Sequence, residues 1–272
     1  MSRFLLSALI ACALINGAAN ANAAELVYDN GAPDQQNGWE ITQYIAADDF
    51  TCTHPTRLDR VKFWDYESQA GFSGTVAWQI HANGDDDGPG RLLASGTVNN
   101  IPHRYTGFSA LGGYKEYEND VAFGPVVLPA GIYWLALHDG ELNSVSTKSV
   151  YWATTAKSGP RPSHGAAPPF YRPWWNNVFP GINPDVAFAL EGAVLPRITE
   201  LSLQGGNARI NFTTVIGEQY RVEVSNGIGA SASWATLAGA DTVPGTGGIV
   251  QVTDPQPDVR SLPRRFYRVV ML

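Results

Sequence analysis

Two stretches of the sequence carry residue types at spacings that could do chemistry. Asn83-Gly84-Asp85-Asp86-Asp87-Gly88 places oxygen ligands at the first, third and fifth positions of a calcium loop and a glycine at the sixth. The twelfth position is Ala94, so the bidentate glutamate of an EF-hand is missing. What remains is a looser loop with Asn83, Asp85 and Asp87 as candidate calcium ligands, set against the plainer reading of a solvated acidic turn. The second stretch is PPFYRPWWNNVF at 168–179. Its prolines keep it out of a central strand, yet it presents aromatic rings beside polar groups. Aromatic faces stack on sugar rings, while guanidinium and amide groups bind hydroxyls. Tyr171, Arg172, Trp174, Trp175, Asn176 and Asn177 are therefore candidate ligand-binding residues for a polysaccharide or cell-surface glycan. The competing reading folds the segment over an open sandwich end and buries its tryptophans.

No catalytic set emerges beside these. His54, His81, His103, His138 and His164 show no H-E-x-x-H or other ligand spacing, and there is no G-x-S-x-G elbow or P-loop. His138 and Asp139 end an apolar strand where they could face a cleft, although a hydrogen-bonded structural histidine is the commoner case. Asp48-Asp49 and Glu116-x-Glu118-x-Asp120 could supply a glycosidase carboxylate pair, a role that depends on a carboxyl separation set by the fold. Solvated edge carboxylates are the default. Cys52 follows Phe50 by two residues on a strand and reads as core rather than nucleophile.

The elements that must position these residues are strands. FGPVVLPAGIYWLALHD at 123–139 reads as two strands joined by a tight turn at Pro129-Ala130-Gly131, and both faces of the return strand are apolar. A strand of that kind has to be covered on both sides, which predicts a sandwich around it. Period-2 alternation recurs at Val61 and Phe63, at Val76, Trp78 and Ile80, and at Val186, Phe188 and Leu190. Further strands are expected near 25–29, 48–53, 92–98 and 150–154, whereas 106–117 is too irregular to assign. These make a jelly-roll-like antiparallel β-sandwich. Six short runs follow between 198 and 271, with Gly205-Gly206 as a hairpin signal between the first two, and predict a smaller fibronectin/immunoglobulin-like β-sandwich. The fold class is all-β.

Charge helps to place the boundary. Residues 25–193 hold 10 basic and 19 acidic side chains; residues 194–272 hold 7 and 6, every basic one an arginine. The expected organisation is a signal peptide at 1–23, a jelly-roll-like sandwich at 24–193 and the smaller sandwich at 194–272. Arg3, the apolar run 4–15 and Ala21-Asn22-Ala23 have the charged, apolar and small-residue parts of a signal peptide. Leu9-Ile10-Ala11-Cys12 also matches a lipobox, which would lipidate Cys12, but the apolar run continues past that cut. Removing 1–23 leaves 17 basic against 25 acidic residues and Cys52 as the single cysteine. The mature chain is then expected to be secreted, periplasmic or at the cell surface, held by core burial with no internal disulfide. Its acidity argues against nucleic acid, and no later stretch approaches the ~20 apolar residues of a transmembrane helix.

LVYDNG at 26–31, ADDF at 47–50, VKFW at 61–64, GPGRLLASG at 88–96 and GIYWLALHDG at 131–140 resemble a β-sandwich module of exported bacterial proteins, many of which carry a PEP-CTERM sorting tag. This chain departs from that pattern in having no Pro-Glu-Pro motif followed by an apolar helix and basic tail. FTTVIGEQYRVEVS at 212–225, Trp234, TDP at 253–255 and RRFYRVVML at 264–272 resemble the fibronectin type III-like module that closes many such proteins. The resemblance implies architecture and export but assigns no reaction. The leading expectation is an exported, non-catalytic binding or adhesion protein recognising a polysaccharide or surface glycan. The alternatives are a structural protein of the envelope or matrix, and a polysaccharide-active jelly-roll hydrolase or lyase.

Overall fold

The computed structural model describes residues 25–68, 71–85, 87–157, 161, 164–166, 184–229, 232–256, 259 and 264–272. The expected signal peptide and the aromatic segment at 168–179, with its six candidate ligand-binding residues, lie outside the described residues. Among the described residues the chain is all-β, with no helix long and apolar enough to cross a membrane. It divides into two units at Leu195 and Pro196, two residues beyond the boundary expected from charge.

The larger unit contains β1 (Glu25–Asp29), β2 (Pro33–Glu40), β3 (Ile45–Cys52), β4 (Thr56–Glu67), β5 (Thr75–Asn83), β6 (Pro89–Asn99), β7 (His103–Ser109), β8 (Lys115–Leu128), β9 (Gly131–Asp139), β10 (Val150–Thr155), β11 (His164–Ala166) and β12 (Phe188–Val194). One sheet runs β1-β12-β4-β10-β2, with β8 also on β4 and β7 on β8; the other runs β11-β3-β9-β5-β6. Pairing is antiparallel throughout, and the two sheets form a sandwich. The turn at Pro129-Ala130 is as tight as expected, but it carries the chain from one sheet into the other, so β8 and β9 pair with different neighbours. The irregular stretch 106–117 resolves into the end of β7, a 3-10 turn at Leu111–Gly113 and the start of β8.

Alternation explains the core. Leu58, Val61 and Phe63 of β4, Val121 and Phe123 of β8, and Phe188 and Leu190 of β12 face Phe50 of β3, Val76, Trp78 and Ile80 of β5, and Leu135 and Leu137 of β9. Trp78 meets Phe123 with ring centroids 4.6 Å apart. Cys52 belongs to this core, as its spacing from Phe50 suggests. The other face of β9 is covered too: Trp134 and Ala136 pack with Ile45, Ala47 and Ala166 in a second cluster. The doubly apolar strand thus sits inside the sheet with both faces buried.

The smaller unit contains β13 (Ile198–Gln204), β14 (Asn207–Thr213), β15 (Gln219–Ser225), β16 (Ala235–Thr236), β17 (Val243–Pro244), β18 (Ile249–Thr253) and β19 (Phe266–Met271). Sheet β13-β14-β18 lies over a sheet in which β15 pairs with β16, β17 and β19, around Ile210, Phe212, Tyr220, Val222 and Leu237. Gly205 and Gly206 join β13 to β14 with φ of 61° and 94°, the left-handed pair that a two-residue hairpin needs. Glu223, which alternation places on the wet face of β15, is nonetheless buried. Arg221 and Arg268 hold its carboxylate, and the Arg268 guanidinium lies 4.5 Å over the Trp234 ring.

A buried Asp–Glu–His cluster as candidate functional site

The inward row of β4 begins as core and ends as chemistry. Val61 and Phe63 face the opposite sheet, and two further steps of the same alternation bring Asp65 and Glu67 to that face. Both are buried, Asp65 completely. On the paired strand β8 the corresponding row is Tyr117, Asn119 and Val121, and β7 sets His103 directly opposite Asn119. Three adjacent strands therefore deliver a carboxylate pair, an amide and an imidazole to one end of the sandwich.

The contacts are specific. His103 Nε2 lies 2.9 Å from Glu67 Oε1, and His103 Nδ1 lies 2.8 Å from Asn119 Oδ1. Asn119 Nδ2 donates to Asp65 Oδ2 at 2.7 Å. The second Glu67 oxygen accepts the backbone N–H groups of Gly71 and Phe72, the latter at 3.1 Å. The imidazole is clamped between two rings, Phe72 at 4.4 Å and Tyr117 at 4.2 Å, with interplanar angles of 15° and 12°. Asp139, at the end of β9 in the other sheet, accepts from the Ser73 backbone and hydroxyl at 3.0 and 2.6 Å.

Electrostatics follow from this placement. Burial pushes the Asp65 carboxyl up to about 8, against the pull of His103 and the Asn119 bond. Burial also raises Glu67, but the His103 and backbone N–H bonds outweigh it and hold that carboxyl below its ordinary value. Burial depresses His103, yet Glu67, Asn119 and Asp65 together leave it raised. One ligand atom from each of Asp65, Glu67 and His103 lies within 4.8 Å of the others, the arrangement of a site able to hold a metal ion. No family model matches the chain, and no curated protein or solved structure matches it.

The acidic loop anticipated from sequence is the turn between β5 and β6, closed by Gly84 N–H to the Gly88 carbonyl at 2.8 Å. Asp85 and Asp87 are exposed. Asn83 Oδ1 accepts from Trp134 Nε1 at 2.8 Å, and its amide donates to Asp87 Oδ1 at 3.0 Å, which also accepts from Arg161 Nε at 3.1 Å. A calcium ion on Asn83, Asp85 and Asp87 would compete with a guanidinium already on the carboxylate. The Asn83 bond, then Arg161, holds Asp87 below the usual carboxylate range.

The carboxylates considered for a glycosidase pair separate. Glu118 and Asp120 pair with Arg104 and Arg60 at 2.7 and 2.9 Å, while Glu116 is buried with Thr106. Asp48 is locked in the other sheet, accepting from Asn30 Nδ2 at 3.0 Å and Val186 N–H at 2.8 Å, and Asp49 faces Arg161 at 3.4 Å. His138 is wholly buried in the second sheet. Sequence reasoning passed over His103, because its partners are 36 and 38 positions away on another strand. The signal that would have found it is the continuation of the Val61-Phe63 alternation into Asp65 and Glu67.

Proposed function

We propose that this is an exported, non-catalytic binding or adhesion protein that recognises polysaccharide or a cell-surface glycan through the segment 168–179, with the fibronectin type III-like unit as spacer. The observation that carries the reading is the segment itself: Phe170, Tyr171, Trp174, Trp175 and Phe179 beside Arg172, Asn176 and Asn177 within twelve residues. Both of its approaches are anchored to the larger sandwich. Ala166 pairs with Ile45 before the segment, and after it Val186 is bonded through its N–H to Asp48 and through its carbonyl to Asn30. Trp39, Trp78, Trp134 and Trp152 already serve the buried faces of the strands, which favours a ligand role for the additional pair. The ion pairs of Glu118 and Asp120 support a non-catalytic reading.

The test is a pull-down of the purified mature chain on insoluble polysaccharides, with calcium and with chelator, comparing wild type with the Trp174→Ala/Trp175→Ala variant. The expected result is binding by wild type and its loss in a variant that unfolds at the same temperature. Loss of binding in chelator that calcium, and not zinc, restores would extend the reading to calcium at Asn83, Asp85 and Asp87. Absence of binding to every polysaccharide, with a destabilised variant, overturns it in favour of a structural protein whose tryptophans belong to the core.

A further inference from the structure

In the cluster of Asp65, Glu67 and His103 one polar atom of each side chain is anchored by the surrounding protein, and the remaining atoms of Glu67 and His103 face each other. Asn119 Nδ2 anchors Asp65 Oδ2, while Asp65 Oδ1 is fully buried and has no hydrogen-bond partner among the described residues. The Gly71 and Phe72 N–H groups anchor Glu67 Oε2 and leave Oε1 beside His103. The amide nitrogen of Asn119 is committed to Asp65, so its oxygen faces His103 Nδ1 and can only accept; Nδ1 carries a hydrogen, and Nε2, now 2.9 Å from Glu67 Oε1, is the nitrogen that a metal ion would take in exchange for a proton. An imidazole that donates its other N–H to a carbonyl oxygen is the arrangement that orients metal-bound histidines. Phe72 and Tyr117 fix the ring plane on both sides.

We propose that Asp65, Glu67 and His103 bind one divalent transition-metal ion of the zinc kind through Asp65 Oδ1, Glu67 Oε1 and His103 Nε2. One imidazole and two carboxylates suit such an ion, whereas calcium takes oxygen ligands alone. Donors about 2.1 Å from a common ion lie about 3 Å apart at a right angle and at most about 4.2 Å apart. The Nε2–Oε1 separation of 2.9 Å already meets the first value, and one donor atom from each of the three side chains lies within 4.8 Å of the others, so a carboxyl rotation of Asp65 and small side-chain movements would close the set. A dipositive ion also answers the two buried carboxylates and supplies Asp65 Oδ1 with the partner that the described residues do not give it. The His103 side chain keeps 22% of its surface exposed, which gives the ion a path from solvent. The inference is independent of the glycan reading, since its residues lie at a sandwich end built by β4, β7 and β8 and none belongs to the segment 168–179.

The test uses the purified mature chain, stripped with chelator and titrated with zinc chloride by calorimetry, with cobalt(II) absorption as a second readout. The expected result is one zinc ion per chain, a higher unfolding temperature with zinc than without, and cobalt d–d bands. His103→Gln and Asp65→Asn should each weaken zinc binding by at least a hundredfold, and Glu118→Gln, on the outward face of β8, should leave it unchanged. Should His103→Gln fail to fold, the near-isosteric Asp65→Asn variant and the wild-type stoichiometry decide. Absence of zinc binding by wild type, or wild-type affinity in a folded Asp65→Asn variant, overturns the proposal and leaves a proton-filled network in which a charged His103 bridges Glu67 and Asn119.

Discussion

Asn119 shows how much one side chain can organise. Its amide nitrogen holds Asp65 and its oxygen holds His103, so a single residue, itself fully buried, sets the direction of a carboxylate and the tautomer of an imidazole. If the cluster takes a metal ion, Asn119→Ala should weaken zinc binding about 10–100-fold while every proposed donor atom remains. Zinc titration of the stripped variant reads this directly, and an unchanged affinity would mean that Asn119 does not orient the donors. In the smaller unit Glu223 shows a related principle with a different outcome. Two arginines neutralise it, one of them stacked on the Trp234 face, so a residue that alternation assigns to solvent is buried with its charge paired.

At the scale of elements, β4 is the strand on which the larger sandwich depends, because it pairs with β12, β8 and β10 and carries both core and cluster on one face. Its pairing with β12 includes a register shift between Glu191 and Gly192, and a Cβ built on Gly192 would stand 1.8 Å from the Arg57 carbonyl oxygen. That approach is to backbone, which cannot swing aside. Gly192→Ala should therefore force the two strands apart and destabilise the larger unit by about 1–3 kcal/mol. Denaturant unfolding at a fixed pH measures it; a variant as stable as wild type would mean that the bulge moves freely. The strands with clear alternation were legible in the sequence, as was the Gly205-Gly206 hairpin. β2 was not, because PDQQNGWE is polar and begins with proline, and it is a strand only because β10 pairs with it. β7 was equally hidden: HRYTGFS has no apolar alternation and is held at the sheet edge by β8.

At the scale of the molecule, two units each own a core. Phe212 packs edge-on against Tyr220 at 5.9 Å in the smaller one, and neither ring belongs to the core of the larger. Phe212→Ala should cost the smaller unit about 3–5 kcal/mol and lower its unfolding transition in scanning calorimetry, with the transition of the larger unit unmoved. A single transition shifted as a whole would show that the units unfold together. The all-β class, the two-unit organisation and the doubly covered strand 131–139 were determined by the sequence alone, because alternation, turn residues and charge balance are local signals and burial follows from them. The two sheets' membership, the passage of the chain between sheets at Pro129-Ala130, and the meeting of Asp65, Glu67, His103 and Asn119 were decided only by the tertiary structure. Strand pairing joins residues far apart in the chain, and which neighbour a strand chooses depends on the packing of the whole sandwich, which no local spacing encodes.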